Sequence, residues 1–136
     1  MSKKAQFYLY ISFAVLFVIG NVLVGQELKH EKDYQKLAAK EFSNSKIEHV
    51  LPDRTRIDIL TDKQAIEVDW ASKWAEGIGQ SLHYSTMTGK EAGLILILKK
   101  PEDIRYVSRV KHILLIKSIK INLYTINSNG VLKKEN

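Results

Sequence analysis

The sequence has 136 residues and a formal net charge of +6, with 21 lysines and arginines against 15 aspartates and glutamates. This length suits one domain with a single core, and the absence of cysteine excludes disulfides and thiolate metal sites. The positive charge favours anionic partners such as nucleic acid or phospholipid headgroups, although a lysine-rich composition that only maintains solubility explains it equally well.

The chain begins with two lysines, Lys3 and Lys4, before an apolar segment at residues 7–25. As a helix this segment would span roughly 28 Å, close to the thickness of a bilayer core. It also has the layout of a secretory signal, with a small residue at Gly20 where cleavage would follow. We therefore predict that residues 1–25 form an apolar helix, either a signal peptide or a membrane anchor, ahead of a domain at 26–136.

The polar segment 26–42 predicts an amphipathic helix that packs on a sheet, because its apolar residues recur at helical spacings, at Leu28, Tyr34, Leu37, Ala38 and Phe42. Glu31 and Glu41 are candidates for an accessory acid, but an exposed helix surface explains both better. Residues 46–51 read as a first strand, in which Glu48 would lie near the next strand.

Two runs with period-2 alternation follow, at residues 56–61 and 65–69. Ile57 and Ile59 are predicted on one face of the first run, with Asp58 on the other. If residues 62 and 63 form a two-residue hairpin turn, Asp58 lies directly opposite Glu67. A longer loop would shift this register by one residue.

Two carboxylates so close together repel each other, and a hard cation such as Mg²⁺ would offset that cost because it binds oxygen ligands. A solvated pair on an open sheet face is the alternative. From Trp70 to Tyr84 a helix is predicted, with Trp74, Ile78 and Leu82 on its apolar face. Its polar stripe carries Lys73, Glu76, Gln80 and Tyr84 and would turn toward the acidic strands.

These residues, in this order, resemble the core of the PD-(D/E)xK nuclease superfamily, in the branch with a Gln-x-x-x-Tyr motif. The first acid matches Asp58, the second matches Glu67, and the Gln-x-x-x-Tyr pair falls on Gln80 and Tyr84. The family's Glu-x-Lys reads Glu-Val-Asp here, so Asp69 occupies the lysine position and Lys73 is a relocated substitute. The resemblance covers about Glu48 to Ile126 and extends to small exported bacterial proteins of unknown role.

The resemblance implies a restriction-endonuclease-like α/β sandwich, with a mixed central sheet flanked by helices in the order α-β-β-β-α-β-α-β. The later elements fit this order: a central strand at Leu94–Leu98, a helix from Glu102 to about Ile119, and a strand from Lys120 to Ile126. The helix has Ile104, Val107, Val110, Ile113 and Leu114 on its inner face and a basic outer side. Residues 127–136 are predicted to be a frayed tail.

The resemblance also implies a metal-dependent phosphodiesterase that hydrolyses DNA or RNA. Its expected Mg²⁺ or Mn²⁺ ligands are Asp58, Glu67 and the Val68 carbonyl, and its candidate catalytic residues are Asp58, Glu67, Asp69 and Lys73. Gln80, Tyr84 and, more weakly, Glu48 would support substrate or ligands. The likeness to exported proteins favours an extracytoplasmic domain, periplasmic, secreted or membrane-anchored.

A different class of protein also fits this sequence. Asp69 is placed to cap the following helix by accepting from backbone N–H groups near Ser72, and Lys73 and Glu76 can form a local helix pair. The chain would then be a catalytically inactive nuclease-fold module with a binding or structural role in the cell envelope.

Overall fold

The computed structural model describes Leu28 and residues 30–136. The predicted signal peptide or membrane anchor at residues 1–25 lies outside these residues. None of the described helices is both long enough and apolar enough to cross a bilayer.

The described residues form three α-helices and six strands. The helices are α1 (Glu31–Ala39), α2 (Trp74–Thr88) and α3 (Ile104–Ile116). The strands are β1 (Lys46–Val50), β2 (Arg56–Leu60), β3 (Gln64–Trp70), β4 (Glu91–Leu98), β5 (Asn122–Asn127) and β6 (Leu132–Lys134). Short 3-10 turns, Ala71–Lys73 and Pro101–Asp103, precede α2 and α3.

The strands form one mixed sheet in the order β1-β2-β3-β4-β5-β6. The first three strands pair antiparallel, β3, β4 and β5 run parallel, and β6 returns antiparallel to β5. Helix α2 makes the crossover from β3 to β4, and α3 makes the crossover from β4 to β5. The predicted α/β class, mixed sheet and element order as far as β5 are confirmed.

Side chains of β4 alternate between two apolar cores, one on each face of the sheet. Ile95 and Ile97 pack with the α1 residues Tyr34 and Ala38. Leu94 and Leu96 pack with α3 and with the predicted apolar face of α2, which contributes Trp74, Ile78 and Leu82. Because both faces are covered, the strand is a continuous apolar run, as the sequence predicted.

The predicted frayed tail is wrong. Residues 132–134 pair with β5, and the Glu135 N–H donates to the Leu123 carbonyl at 2.8 Å. The Asn136 side chain bonds the Leu123 N–H and the Ile121 carbonyl, at 2.9 and 2.7 Å. The sequence did not predict this strand because the segment has no alternating apolar residues. Hydrogen bonds to the backbone of β5 and bonds between charged side chains hold it in place instead.

Two predicted faces also differ from the structure. Ile57 packs with Leu51, Ala65 and Tyr84, whereas Ile59 packs in the core beneath α1. Alternation in β2 is therefore broken between them, at Asp58. In α3, Ile104 is 50% exposed although its spacing placed it on the inner face, and it is the first residue of the helix.

Candidate functional site

The hairpin between β2 and β3 brings the predicted acids together. Its pairs are Leu60 with Ala65 and Ile59 with Ile66, and the Thr61 N–H donates to the Gln64 carbonyl at 2.9 Å. This is the register of the predicted two-residue turn, but the strand pairing ends at Ile59 and Ile66, so the predicted direct pair of Asp58 with Glu67 does not form. Beyond this point the Asp58 carboxylate, and not a backbone carbonyl of β2, accepts the Val68 N–H of β3.

Asp58 joins three elements through its two carboxylate oxygens. Oδ2 accepts the Val68 N–H of β3 at 2.9 Å, and Oδ1 accepts from Gln35 Nε2 of α1 at 3.1 Å. Burial raises the pKa of Asp58 to about 6, the Val68 N–H opposes that shift, and the charge of Glu48 adds to it. Asp58 is therefore held firmly between α1 and β3.

Glu48 shares the same amide donor. Its Oε1 accepts from Gln35 Nε2 at 3.1 Å, and its Oε2 pairs with Arg56 Nε at 2.8 Å. Glu48 also has a backbone φ of 58°, an unusual conformation for a residue inside a strand. Glu48, the site candidate from the first strand, thus lies beside Asp58, and the Gln35 side chain bonds both carboxylates.

Glu67 is the least satisfied group in the described part of the chain. It is 6% exposed, and its Oε2 is buried with no hydrogen-bond partner. Burial first, and then the charges of Asp58 and Asp69, raise its pKa to about 9. Its burial thus favours the neutral, protonated form of this carboxyl.

Asp69 and Lys73 form the other side of the site. Asp69 is 3% exposed, and its Oδ1 accepts the Trp70 N–H at 2.7 Å and lies 3.7 Å from Lys73 Nζ. Burial raises the pKa of Asp69 to about 6 against both of these contacts, and the Asp69 charge raises that of Lys73. The predicted helix cap is wrong, since no side-chain cap is present at the start of the 3-10 turn or of α2.

Tyr84 and Gln80 lie one turn apart on α2. Tyr84 is 4% exposed, and its ring packs with Ile57 and Ala65 in an apolar cluster. Burial, followed by the charges of Glu67 and Asp58, raises its pKa to about 12. Its phenol is thus near the acids, whereas Gln80 is half-buried and its side chain bonds no other described residue.

Two residues of α1 complete the site: Gln35, which the sequence pattern did not single out, and Glu31, a candidate accessory acid that was expected on an exposed helix surface but is half-buried beside the other acids. Gln35 is 3% exposed and donates to Asp58 and Glu48. Glu31 is close enough that burial and the charge of Asp58 raise its pKa, while a hydrogen bond with Asp69 lowers it. Their four-residue spacing beside Tyr34 and Ala38 was a usable signal, because it places both on the sheet-facing side of α1.

The acidic side chains of the site lie close together, but they do not form a complete set of metal ligands. Within the described residues, no group of three or more histidine, cysteine, aspartate or glutamate side chains is arranged to hold a metal ion. A separate cleft of about 730 Å³ lies at the opposite end of the parallel strands, beside the beginnings of β4 and β5, and it contains none of the predicted site residues. The site instead lies beside the middle of β2 and β3, where these strands stop pairing, and α1 and the start of α2 contribute its other residues.

No protein-family profile, curated protein or solved structure matches this chain.

Proposed function

We propose that this protein is a metal-dependent phosphodiesterase that hydrolyses DNA or RNA, built on a restriction-endonuclease-like sandwich of the PD-(D/E)xK type. The element order supports this proposal, since an α-β-β-β-α-β unit brings the two acidic strands and the following helix together. The observation that carries it is Glu67, a buried carboxyl with an unpartnered oxygen beside Asp58 and Asp69.

The donor atoms fit Mg²⁺ or Mn²⁺. Both ions take oxygen ligands, and Mg²⁺ is commonly held by one or two carboxylates while it keeps several waters. Asp58, Glu67 and the Val68 carbonyl would hold the ion, which would polarise the scissile phosphate and lower the pKa of a bound water. A cation would also relieve the unpartnered state of Glu67 Oε2, since the charged carboxylate gains a partner.

The chain's own cationic group for the reaction is Lys73. Its ammonium lies 3.7 Å from Asp69 Oδ1 and is half-exposed, so it faces the acids and remains accessible to substrate. In this position it would orient a water or stabilise negative charge that develops on the phosphate. Asp69 would then position Lys73. This would explain why residue 69, where the family has a lysine, is an aspartate in this chain.

Groups around the acids would hold them in place. Gln35 would hold the Asp58 carboxylate by donating a hydrogen bond from α1. Tyr84 would support the site by packing on Ile57 and Ala65 next to the acidic residues. Gln80 and Glu48 would contact the substrate or brace the ligands. An excess of positive charge suits a nucleic-acid substrate, and residues 1–25 would export the domain or anchor it to a membrane, with an extracytoplasmic location.

The test is a calorimetric titration of Mg²⁺ and Mn²⁺ into the full chain, followed by hydrolysis assays on labelled single- and double-stranded DNA and RNA. Asp58→Asn and Glu67→Gln should both abolish ion binding and hydrolysis. Lys73→Ala should keep ion binding but slow hydrolysis by about 100-fold or more. Glu76→Gln, an exposed acid on α2, is the matched control and should keep both.

An inactive module with a binding or structural role in the cell envelope is the second candidate. One observation favours it: both oxygens of Asp58 already accept hydrogen bonds, and Asp69 already accepts from a backbone N–H and pairs with Lys73. On this account the acids are structural. Absence of ion binding in a folded wild-type protein would contradict the phosphodiesterase and leave this module.

A further inference from the structure

The carboxyl ends of the parallel strands meet at one edge of the sheet. Trp70 of β3 lies level with Ile97 of β4, and Ile97 lies level with Ile126 of β5. The turn Ala71–Lys73 and the connection 99–103 extend from this edge. In open α/β sheets, ligands bind outside the carboxyl ends of the strands, so these segments face the region where a substrate would approach.

Cations and aromatic rings alternate along this edge. Lys99 Nζ lies 3.9 Å from the centroid of the Trp70 ring, and the Arg105 guanidinium carbon lies 4.7 Å from that of Tyr106. Arg109 lies on the same Tyr106 ring at 5.5 Å. We call Trp70, Lys73, Lys99, Lys100, Arg105 and Tyr106 the carboxyl-end rim.

The rim joins the acidic site directly. Its first cation, Lys73, is the partner of Asp69, and the helix α3 that carries Arg105 packs against the turn Ala71–Lys73 through Val107 and Ala71. The turn Ala71–Lys73 therefore contacts both Asp69 and α3.

Few acids offset the positive charge of the rim. Between Ile104 and Lys134 the sequence contains no aspartate or glutamate. Asp103 is buried, and its carboxylate accepts the Lys99 N–H at 2.9 Å and the Lys100 N–H at 3.3 Å. Glu102 is exposed and lies two positions after Lys100 in the sequence. A polyanion approaching the acidic site would be repelled by its carboxylates, and the rim supplies the compensating attraction.

The Trp70 ring also makes a T-shaped contact with Tyr34 of α1, with 5.6 Å between the ring centroids, so the face that Lys99 covers is the one considered for a ligand. We propose that the rim binds a single strand of nucleic acid: Lys99 moves from the Trp70 ring to a phosphate, one base takes its place on that ring, and Lys100 and Arg105 bind neighbouring phosphates. This inference rests on the proposed function and names the form of its substrate. Single-strand binding surfaces combine a basic track with aromatic faces that accept any base. A rigid duplex keeps its bases stacked on each other and gains nothing from Trp70.

The experiment measures binding of a short fluorescein-labelled oligothymidylate to the full chain in EDTA, so that hydrolysis does not enter. Trp70→Ala should weaken binding by about 5- to 140-fold, and Trp70→Phe, which keeps a flat ring, should retain most of it. Lys99→Glu, Lys100→Glu and Arg105→Glu should each weaken binding. Each should also make the slope of log K against log salt shallower by about 0.7 for every phosphate that the variant no longer neutralises.

Lys117→Glu is the matched control, because Lys117 is an exposed cation at the opposite end of α3. It changes net charge as much as Arg105→Glu and should keep nearly full affinity at moderate salt. Circular dichroism of each variant checks that it is folded.

Three results would overturn the rim as a single-strand site. These are equal affinity of the rim variants and Lys117→Glu, tighter binding of a duplex than of the single strand, or capture by anionic phospholipid vesicles without oligonucleotide binding. The proposed function fails separately. If the strand binds but no divalent ion does, the rim stands and the hydrolysis proposal falls.

Discussion

Glu67 is the residue of the site with the most unusual environment. Its carboxyl is buried in the middle of β3, and one oxygen has no hydrogen-bond partner among the described residues. Such a group costs free energy when charged, so it remains protonated unless a cation or a donor reaches it. The same side chain thus provides both an expected ion ligand and a measurable signal in the absence of ions.

In EDTA, the free energy of unfolding should fall as pH rises from about 5 to about 9. The native carboxyl of Glu67 holds its proton up to a pKa of about 9, whereas in the unfolded chain it loses the proton near the ordinary value of 4.5. Its stabilising contribution is complete below the unfolded pKa and is lost as pH rises through the native one, at up to about 1.4 kcal/mol per pH unit. Urea unfolding at several pH values measures this slope.

Glu67→Gln should flatten the slope and make the protein more stable than wild type at the alkaline end of that range, because the amide does not ionise. Glu76→Gln is the control for loss of one negative charge nearby and should leave most of the slope. Equal slopes in wild type and Glu67→Gln would show that Glu67 is already ionised in the native protein.

Local spacing predicted the residues of the β2–β3 hairpin and the following turn. Asp58, Glu67, Asp69 and Lys73 are brought together by one hairpin and one helical turn, which sequence patterns describe well. Gln35 is different, since its contact with Asp58 spans 23 positions and depends on how α1 packs across the sheet. Helical spacing places Gln35 on the sheet-facing side of α1, but it does not tell which strand residue Gln35 contacts.

At the scale of elements, the contact between α2 and β4 positions the helix over the acidic strand. A Cβ atom added at Gly77 would lie 2.8 Å from Leu94 Cδ1, so the helix lies close against the sheet. Ser81, which is fully buried, donates to the Gly77 carbonyl at 2.7 Å and to the Gly93 carbonyl at 2.9 Å in a shared arrangement. This hydroxyl links the two elements where little space remains.

Ser81→Ala should destabilise the protein by about 1–3 kcal/mol, because the Gly93 carbonyl loses a buried donor. Thr86→Ala is a matched control: the Thr86 hydroxyl makes the same kind of bond to the Leu82 carbonyl, at 2.9 Å, but on the exposed side of α2. It should change stability by less than about 0.5 kcal/mol. Urea midpoints compare the two, and equal losses would mean that Ser81 does not link α2 to β4.

The apolar periods in the sequence were sufficient to predict the helices and the central strand. They were not sufficient at β2, where Ile57 and Ile59 have the same parity but pack in different cores. The cause lies in the pairing: Asp58 turns its carboxylate to the Val68 N–H, and the neighbouring Glu48 has a positive φ. A strand's own residues do not encode a distortion set by its neighbours.

At the scale of the whole molecule, charge is divided between two regions. Carboxylates gather between α1, β2 and β3, whereas the sequence from Ile104 to Lys134 contains no acid. The predicted sandwich captured the layers, because alternating strands and helices determine them. It missed β6, since a three-residue polar strand at a sheet edge has no recognisable period.

That missed strand, β6, forms one edge of the sheet and is attached to its neighbours by Glu135. Glu135 has a side chain that is 5% exposed and pairs with Lys111 and Lys133, at 2.9 and 3.1 Å. Burial raises its pKa, but hydrogen bonds from these lysines and from Thr125 outweigh that effect and lower it. Glu135 is therefore ionised in the native protein, and its interactions attach the segment 131–136 to α3 and β5.

Deletion of residues 131–136 should lower the free energy of unfolding by about 3 kcal/mol or more, because several backbone and side-chain bonds to β5 are removed together. It should also cause concentration-dependent association, since β5 becomes an unpaired edge with apolar residues on both faces. Thermal unfolding and size-exclusion chromatography measure the two effects. Lys134→Ala, which keeps the backbone pairing, is the control and should change neither by much. A truncated protein that melts like wild type and stays monomeric would show that β6 adds nothing to the sheet and that β5 is a stable edge by itself.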